Sequence, residues 1–154
     1  MHHIRSAARA LIIQNNCVLF IEMKNNKGAF YILPGGGQLH GETLIETAKR
    51  ECEEELGAKI SVGKLCYSRE YIGKNHTFNE SHRNFHQIEH VFHCSITSDL
   101  SELGKGSSTD KNQVGVRWIN LSDLESYFIL PRLLKKMLKK DSNKLEDCYL
   151  GDVN

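Results

Sequence analysis

Three carboxylates, Glu51, Glu54 and Glu55, are spaced so that one helix would gather them. At about 100° per residue they share an arc of about 100°. Leu44, Ile45, Ala48, Cys52 and Leu56 recur at helical spacing beside them, so the acids project from one margin of the buried stripe. Like charges three or four residues apart destabilise a helix. Lys49 lies on another side, and only Arg50 falls within the cluster. Such a cluster needs a counter-charge, and a hard divalent cation with oxygen ligands is the natural one. The bland alternative is a solvated acidic face.

The elements that must position these acids are legible around them. Thr43, followed three residues later by Glu46, is a capping-box pair that starts a helix. Gly57 stands where a helix often stops. Upstream, Pro34-Gly35-Gly36-Gly37 can bring bare backbone against the same helix edge, because glycine permits close approach of a ligand or metal to a carbonyl. No Gly-Lys-Ser/Thr follows, which excludes a Walker-type phosphate loop.

Taken in register, Gly36, Glu42, Arg50-Glu51, Glu54-Glu55 and Gly57 follow the spacing G-x5-E-x7-R-E-U-x-E-E-x-G-U, with U a bulky apolar residue. The segment from Gly36 to Ala58 resembles the Nudix box, with Cys52 and Ala58 at positions that more often hold Leu, Ile or Val. The resemblance implies an α+β Nudix fold, an α/β/α sandwich around a mixed sheet, with the box as loop-helix-loop. It implies hydrolysis of a nucleoside diphosphate linked to another moiety, assisted by Mg²⁺ with Mn²⁺ able to substitute. The cation would neutralise and orient the phosphoanhydride and acidify a water. Carried over, the metal ligands are Glu51, Glu54, Glu55 and the Gly35 carbonyl. Arg50 holds the carboxylates by charge-assisted hydrogen bonds, and Gly36, Glu42 and Gly57 brace the box.

Family resemblance leaves the general base open, as a box glutamate or an acid far along the chain. Glu89, in His86-Gln87-Ile88-Glu89-His90, is the favoured outside acid, with Glu80 and Glu102 next. An acid inside an apolar strand is costly to bury without a partner, and a metal site would supply one. The alternative is an edge strand with Glu89 in water. Arg9 and Arg69 lie in or beside strands, where they face either substrate phosphates or solvent. His76, His82, His86, His90 and His93 invite a zinc reading, but the segment reads as a strand and no Cys or acid completes a zinc motif.

Substrate choice rests on weaker marks. A nucleotide sugar such as ADP-ribose leads, although Gly73-Lys74 occupy the region where such hydrolases often carry proline. Tyr71 lies too close to the box to mark a diadenosine polyphosphate hydrolase, and no coenzyme A motif precedes the box. The alternatives are a nucleoside triphosphate pyrophosphohydrolase and a non-catalytic module sensing nucleotide sugars. Sensing modules commonly lose box glutamates, and this chain keeps them.

The rest of the chain reads as one domain of 154 residues. Ala7 to Ile13 and Cys17 to Met23 form a hairpin across Gln14-Asn15-Asn16. Further strands are expected over Phe30 to Leu33, Lys59 to Tyr71, Gln87 to Ile96 and Val114 to Ile119, with loops at Gly73 to Phe85 and Thr97 to Gln113. A helical turn begins at Asn120, and Pro131 opens a last helix to about Lys140. Its lysines suit a helix packed by one face on the core better than a membrane-surface helix. The tail from 141 to 154 is expected to fray.

A net charge of +1 offers no global field for nucleic acid or an anionic membrane. No apolar run is long enough to span a bilayer, and the start has no signal-peptide pattern. Five cysteines without a C-x-x-C suggest reduced thiols and a cytoplasmic setting. The expected partner is a small nucleotide, with a homodimer as in many relatives.

Overall fold

Strand alternation decides which residues of each strand meet which layer. The computed structural model describes residues 2–76, 80–107, 111–139 and 148–154. Strands β1 (Arg5–Gln14) and β2 (Cys17–Asn25) form the expected hairpin. Asn15 and Asn16 turn it with φ of 51° and 61°, the positive pair that a two-residue hairpin requires and asparagine tolerates. Next come β3 (Gly28–Ile32), β4 (Gly35–Gly37), helix α1 (Leu44–Leu56), β5 (Ile60–Ile72), β6 (His86–Ile96) and β7 (Gln113–Asn120). Helix α2 (Leu133–Lys139) and β8 (Tyr149–Asp152) complete the chain.

The eight strands form one mixed sheet in the order β3-β2-β1-β6-β5-β8, with β4 on β1 and β7 on β2. β1 runs parallel to β6 from Arg5 to Ile12. Its other edge is shared, with Ala7 to Arg9 pairing with β4 and only Ile13 and Gln14 pairing with β2. The glycine strand is thereby laid against the centre of the sheet, directly upstream of α1.

Both faces are covered. On one, Ala8, Ala10 and Ile12 of β1 and Phe92 and Cys94 of β6 pack with Ala48, Cys52 and Leu56 of α1. Full burial of Leu56 alone contributes about 2 kcal/mol. On the other face, Leu11, Tyr67 and Val91 cluster with Leu124, Ile129 and Leu134. Leu124 belongs to a 3-10 turn over Leu121–Ser126, and Leu134 to α2. This is the expected α/β/α arrangement. Among the described residues no helix is long and apolar enough to cross a membrane.

Two expectations need correction. Pro131 does not open α2, which starts at Leu133. Ile129 bridges to Tyr31, and the Leu130 amide donates to the Tyr31 carbonyl, so the chain is still pinned to β3 there. The tail also rejoins the fold, since β8 pairs in parallel with β5 and Ser68 N–H donates to the Cys148 carbonyl. Residues 141–147 lie outside the described part. The expected loop at 97–113 contains a 3-10 turn at Leu100–Glu102, with 108–110 outside the described residues.

Candidate active site

Helix α1 begins at the expected capping box: Thr43 accepts from Glu46 N–H, and the Glu46 carboxylate accepts from Thr43 N–H. It ends at Gly57, whose φ of 69° is the left-handed cap that glycine takes without strain. Between these caps, Arg50 distributes its fork. Nε donates to Glu42 Oε1 at 2.5 Å and Nη2 to Glu42 Oε2 at 3.1 Å. Nη1 reaches Glu51 Oε1 at 2.9 Å and Glu54 Oε2 at 3.3 Å, while Nη2 also takes the Gly37 carbonyl at 2.9 Å. The Arg50 hydrogen bond, with those from Leu39 N–H and the Thr47 hydroxyl, holds the Glu42 carboxyl down at about 2 despite some desolvation. Glu42 thus ties the loop after β4 to α1.

The glycine strand meets the same edge. A Cβ on Gly36 would lie 2.5 Å from Glu51 Cδ, so the carboxylate uses the space that a side chain would fill. Gly35 is held at φ 138°, with Ala8 O where its Cβ would point. Gly35 N–H donates to Glu55 Oε2 at 3.0 Å. Glu51, Glu54, Glu55 and the Gly35 carbonyl are therefore neighbours on one margin, an all-oxygen donor set that suits Mg²⁺ or Mn²⁺. Three carboxylates, Glu42, Glu51 and Glu54, share Arg50, and Glu55 stands beside them on Gly35 N–H, which leaves negative charge for a cation to neutralise. As they stand, Glu51 and Glu54 turn to Arg50 and Glu55 to Gly35 N–H, and among the described residues no trio of His, Cys, Asp or Glu is gathered around a point.

Glu89 is buried, 3% exposed, on β6 between β1 and β5, so the edge-strand reading does not hold. Its counter-charge is arginine rather than metal. Arg9 Nε donates to Oε1 at 2.7 Å and Arg69 Nε to Oε2 at 2.6 Å. Arg69 stands opposite Glu89 in the β5–β6 register, and Arg9 lies two residues along β1 from Ala7, the residue opposite Glu89. Burial alone would raise the Glu89 carboxyl, but the charges and hydrogen bonds of Arg69 and Arg9 bring it down to about 2. A carboxylate so held is a poor proton acceptor at neutral pH, which weighs against the base role expected of it, and each of its oxygens already accepts from an arginine. Nor do Arg9 and Arg69 face open solvent; their side chains are 16% and 9% exposed.

Both arginines line a cavity of about 270 Å³ on the sheet face opposite α1, together with Phe30, Tyr71 and Phe85. Arg9 reaches from it to the glycine strand, where Nη1 donates to the Gly35 carbonyl at 2.8 Å and the Leu33 carbonyl at 3.2 Å. The carbonyl expected at the metal is thus in contact with a guanidinium as well. Glu80 and Glu102 are exposed outside the cavity lining, and Glu102 pairs loosely with Lys105 at 3.6 Å.

The histidines form no metal-ligating group among the described residues. His76 meets Asp152, His82 meets Tyr71, His86 meets Glu70, and His90 meets Ser68. Sequence reasoning passed over Tyr67, Gln87 and Asn154, which also line the cavity, and Val153, whose carbonyl accepts from Arg69 Nη1 at 2.6 Å. The alternation Tyr67-Arg69-Tyr71 on one strand face was the available signal for the first. Gln113 was missed as well; it donates to the Glu55 carbonyl at 3.2 Å from the first residue of β7.

Comparison with known proteins places this geometry among relatives. Residues 3–142 match the NUDIX domain family. Nucleoside triphosphatase NudI of Enterobacter sp. (strain 638) is 42% identical over 55 residues, which are 33% of this chain and 39% of that protein. The match therefore spans well under two thirds of that curated relative. A NUDIX hydrolase from Nitrosomonas europaea superimposes with a TM-score of 0.70 at 19% identity, covering 100% of this chain and 81% of the other. An ADP-ribose pyrophosphatase from Streptococcus suis gives 0.64 at 17% identity, covering 97% and 100%. At such identities the likeness is one of fold.

Proposed function

Because this chain belongs to the Nudix family, we propose that it hydrolyses the phosphoanhydride of a nucleoside diphosphate linked to another moiety. One observation carries the reading from the acids to a substrate. Gly35 holds Glu55 by its N–H and Arg9 by its carbonyl, so the acid margin and the cavity meet at a single residue. A ligand seated in the cavity would present its phosphates there.

Glu51, Glu54, Glu55 and the Gly35 carbonyl would hold Mg²⁺, which when bound neutralises and polarises the diphosphate. Arg50 keeps Glu51 and Glu54 aimed while giving up none of its hold on Glu42, and Gly35 N–H holds Glu55. Arg9 and Arg69 offer fixed positive charge to the substrate at the cavity wall, and a site already ordered need not reorganise during reaction. The Glu89 carboxylate fixes both guanidinium groups and leaves proton abstraction to another acid.

A nucleotide sugar such as ADP-ribose is the leading substrate. The support is chemical: aromatic rings from Phe30, Tyr71 and Phe85 beside two arginines suit a ligand with both ring and phosphate. Nucleoside triphosphates are the second reading, favoured by the local identity with NudI. A phosphate-release screen over nucleotide sugars, dinucleotides and nucleoside triphosphates decides among them. Activity should need Mg²⁺ or Mn²⁺ and vanish with EDTA. Binding of nucleotide sugars without turnover under any of these conditions would instead make the chain a sensing module.

A further inference from the structure

The cavity floor contains a polar atom that the protein does not satisfy. Tyr67 is 1% exposed, lines the cavity, and its hydroxyl has no hydrogen-bond partner among the described residues. Its side chain shares the β5 face with Arg69 and Tyr71, and across the strand pairings with Glu89 and Arg9. A hydroxyl left unpaired in such a place is destabilising, so an acceptor from outside the protein gains by pairing with it.

On the same sheet face, the bonding capacity that Arg9 and Arg69 leave unspent is of one kind. Arg9 spends Nε and Nη1 on Glu89, Leu33 and Gly35, and Arg69 spends the same atoms on Glu89 and Val153. Each Nη2 keeps its N–H groups without an acceptor among the described residues. Glu89, the one acidic side chain among the described lining residues, already accepts from both arginines and from Gln87 Nε2 at 3.3 Å. Burial and then the Glu89 charge raise the Tyr67 phenol above its usual range, with Arg69 and Arg9 opposing, so it stays protonated at neutral pH. What remains is two guanidinium nitrogens and one phenolic O–H, all able to donate. Their complement is an acceptor-only group with negative charge.

We propose that Tyr67 is a substrate-contacting residue whose hydroxyl, with Arg9 Nη2 and Arg69 Nη2, seats a phosphoryl oxyanion on the cavity floor. That the anion is a phosphate of a nucleotide rests on the proposed hydrolase activity; the donor set itself requires only an oxyanion. Tyr67 then discriminates for substrates carrying a phosphoryl group beside the one at the acid margin, and against ligands with a neutral group in that place.

Tyr67→Phe tests this, because it keeps the ring and its packing and removes only the hydroxyl. Inorganic phosphate is titrated calorimetrically into the EDTA-treated wild-type and variant proteins, and their melting temperatures are compared. A hydrogen bond to a charged group predicts a Kd for phosphate higher by roughly tenfold in the variant. Its Tm should be equal or higher, since an unpaired buried hydroxyl has been removed. With the substrate found by the screen, KM should rise by roughly tenfold while kcat changes by no more than about twofold. Absence of saturable phosphate binding in the wild type, or equal affinity in both proteins, overturns the proposal. So does a Tm that falls together with affinity, which would assign the hydroxyl a structural bond. Phosphate binding needs no turnover, so an oxyanion seat in a protein that hydrolyses no nucleotide would fault the hydrolase reading and leave Tyr67 assigned.

Discussion

Glu89 illustrates how one residue's surroundings set its chemistry. Folded, it titrates near 2 against an ordinary 4.5. A depressed carboxyl contributes stability that is complete above the unfolded value and is lost as pH falls through the folded one. The pair of arginine contacts should therefore fail between about pH 4.5 and 2, at a cost of about 3 kcal/mol. Glu89→Gln leaves two guanidinium groups without their charge partner, and should lose about 3–5 kcal/mol at neutral pH. In urea denaturation followed from pH 7 to 2, the gap between variant and wild type should close as acidity increases. The acidic limb of kcat/KM should stay in place in Glu89→Gln, because Glu89 is already ionised across the working range; loss of that limb would restore it as the base. The box acids behave oppositely. Glu54→Gln or Glu55→Gln should lower turnover by orders of magnitude, with little change in Tm, since removing one like charge relieves repulsion on α1. Wild-type turnover in either variant would sink the metal reading.

At the scale of elements, the glycine strand and α1 form one device, and Gly36 is where they touch. Gly36→Ala would place a methyl against the Glu51 carboxylate, which is the far end of a flexible side chain. The expected result is a nearly unchanged Tm with turnover reduced by roughly tenfold or more, as the ligand is pushed from its place; an unaltered rate would mean that Glu51 does not need that position. This device was legible in the sequence because capping, helical period and glycine placement all act within neighbouring residues. So was the β1–β2 hairpin, whose turn chemistry lies in two asparagines. What stayed hidden depends on register between strands far apart in the chain. No local pattern says that Arg9 and Arg69 flank Glu89, and the burial cost that flagged Glu89 cannot tell an arginine partner from a metal. The start of α2 was misplaced for a similar reason: a bridge to Tyr31 holds the chain extended up to Ile129, and helix preference at Pro131 gives way to it.

Across the whole molecule, the cavity draws on β1, β2, β3, β5 and β6 and on the last residue described, Asn154. The strand that delivers Asn154 is held at its end. Asp152 accepts from Ile72 N–H and Asn75 Nδ2 and pairs with His76, and Val153 N–H donates to the Glu70 carbonyl. Through the Val153 carbonyl this strand also fixes Arg69. A chain ended at residue 147 should therefore melt at a lower temperature and show a raised KM, with kcat less affected; an unchanged KM would detach Arg69 from substrate binding. The same placement bears on how the protein should be handled at the bench. Anything fused behind Asn154 leaves beside the cavity, whereas His2 and His3 are exposed ahead of β1. An affinity tag joined directly behind Asn154 should therefore compete for the cavity rim and weaken apparent substrate affinity, and cleaving it should recover the value obtained with a tag placed ahead of His2.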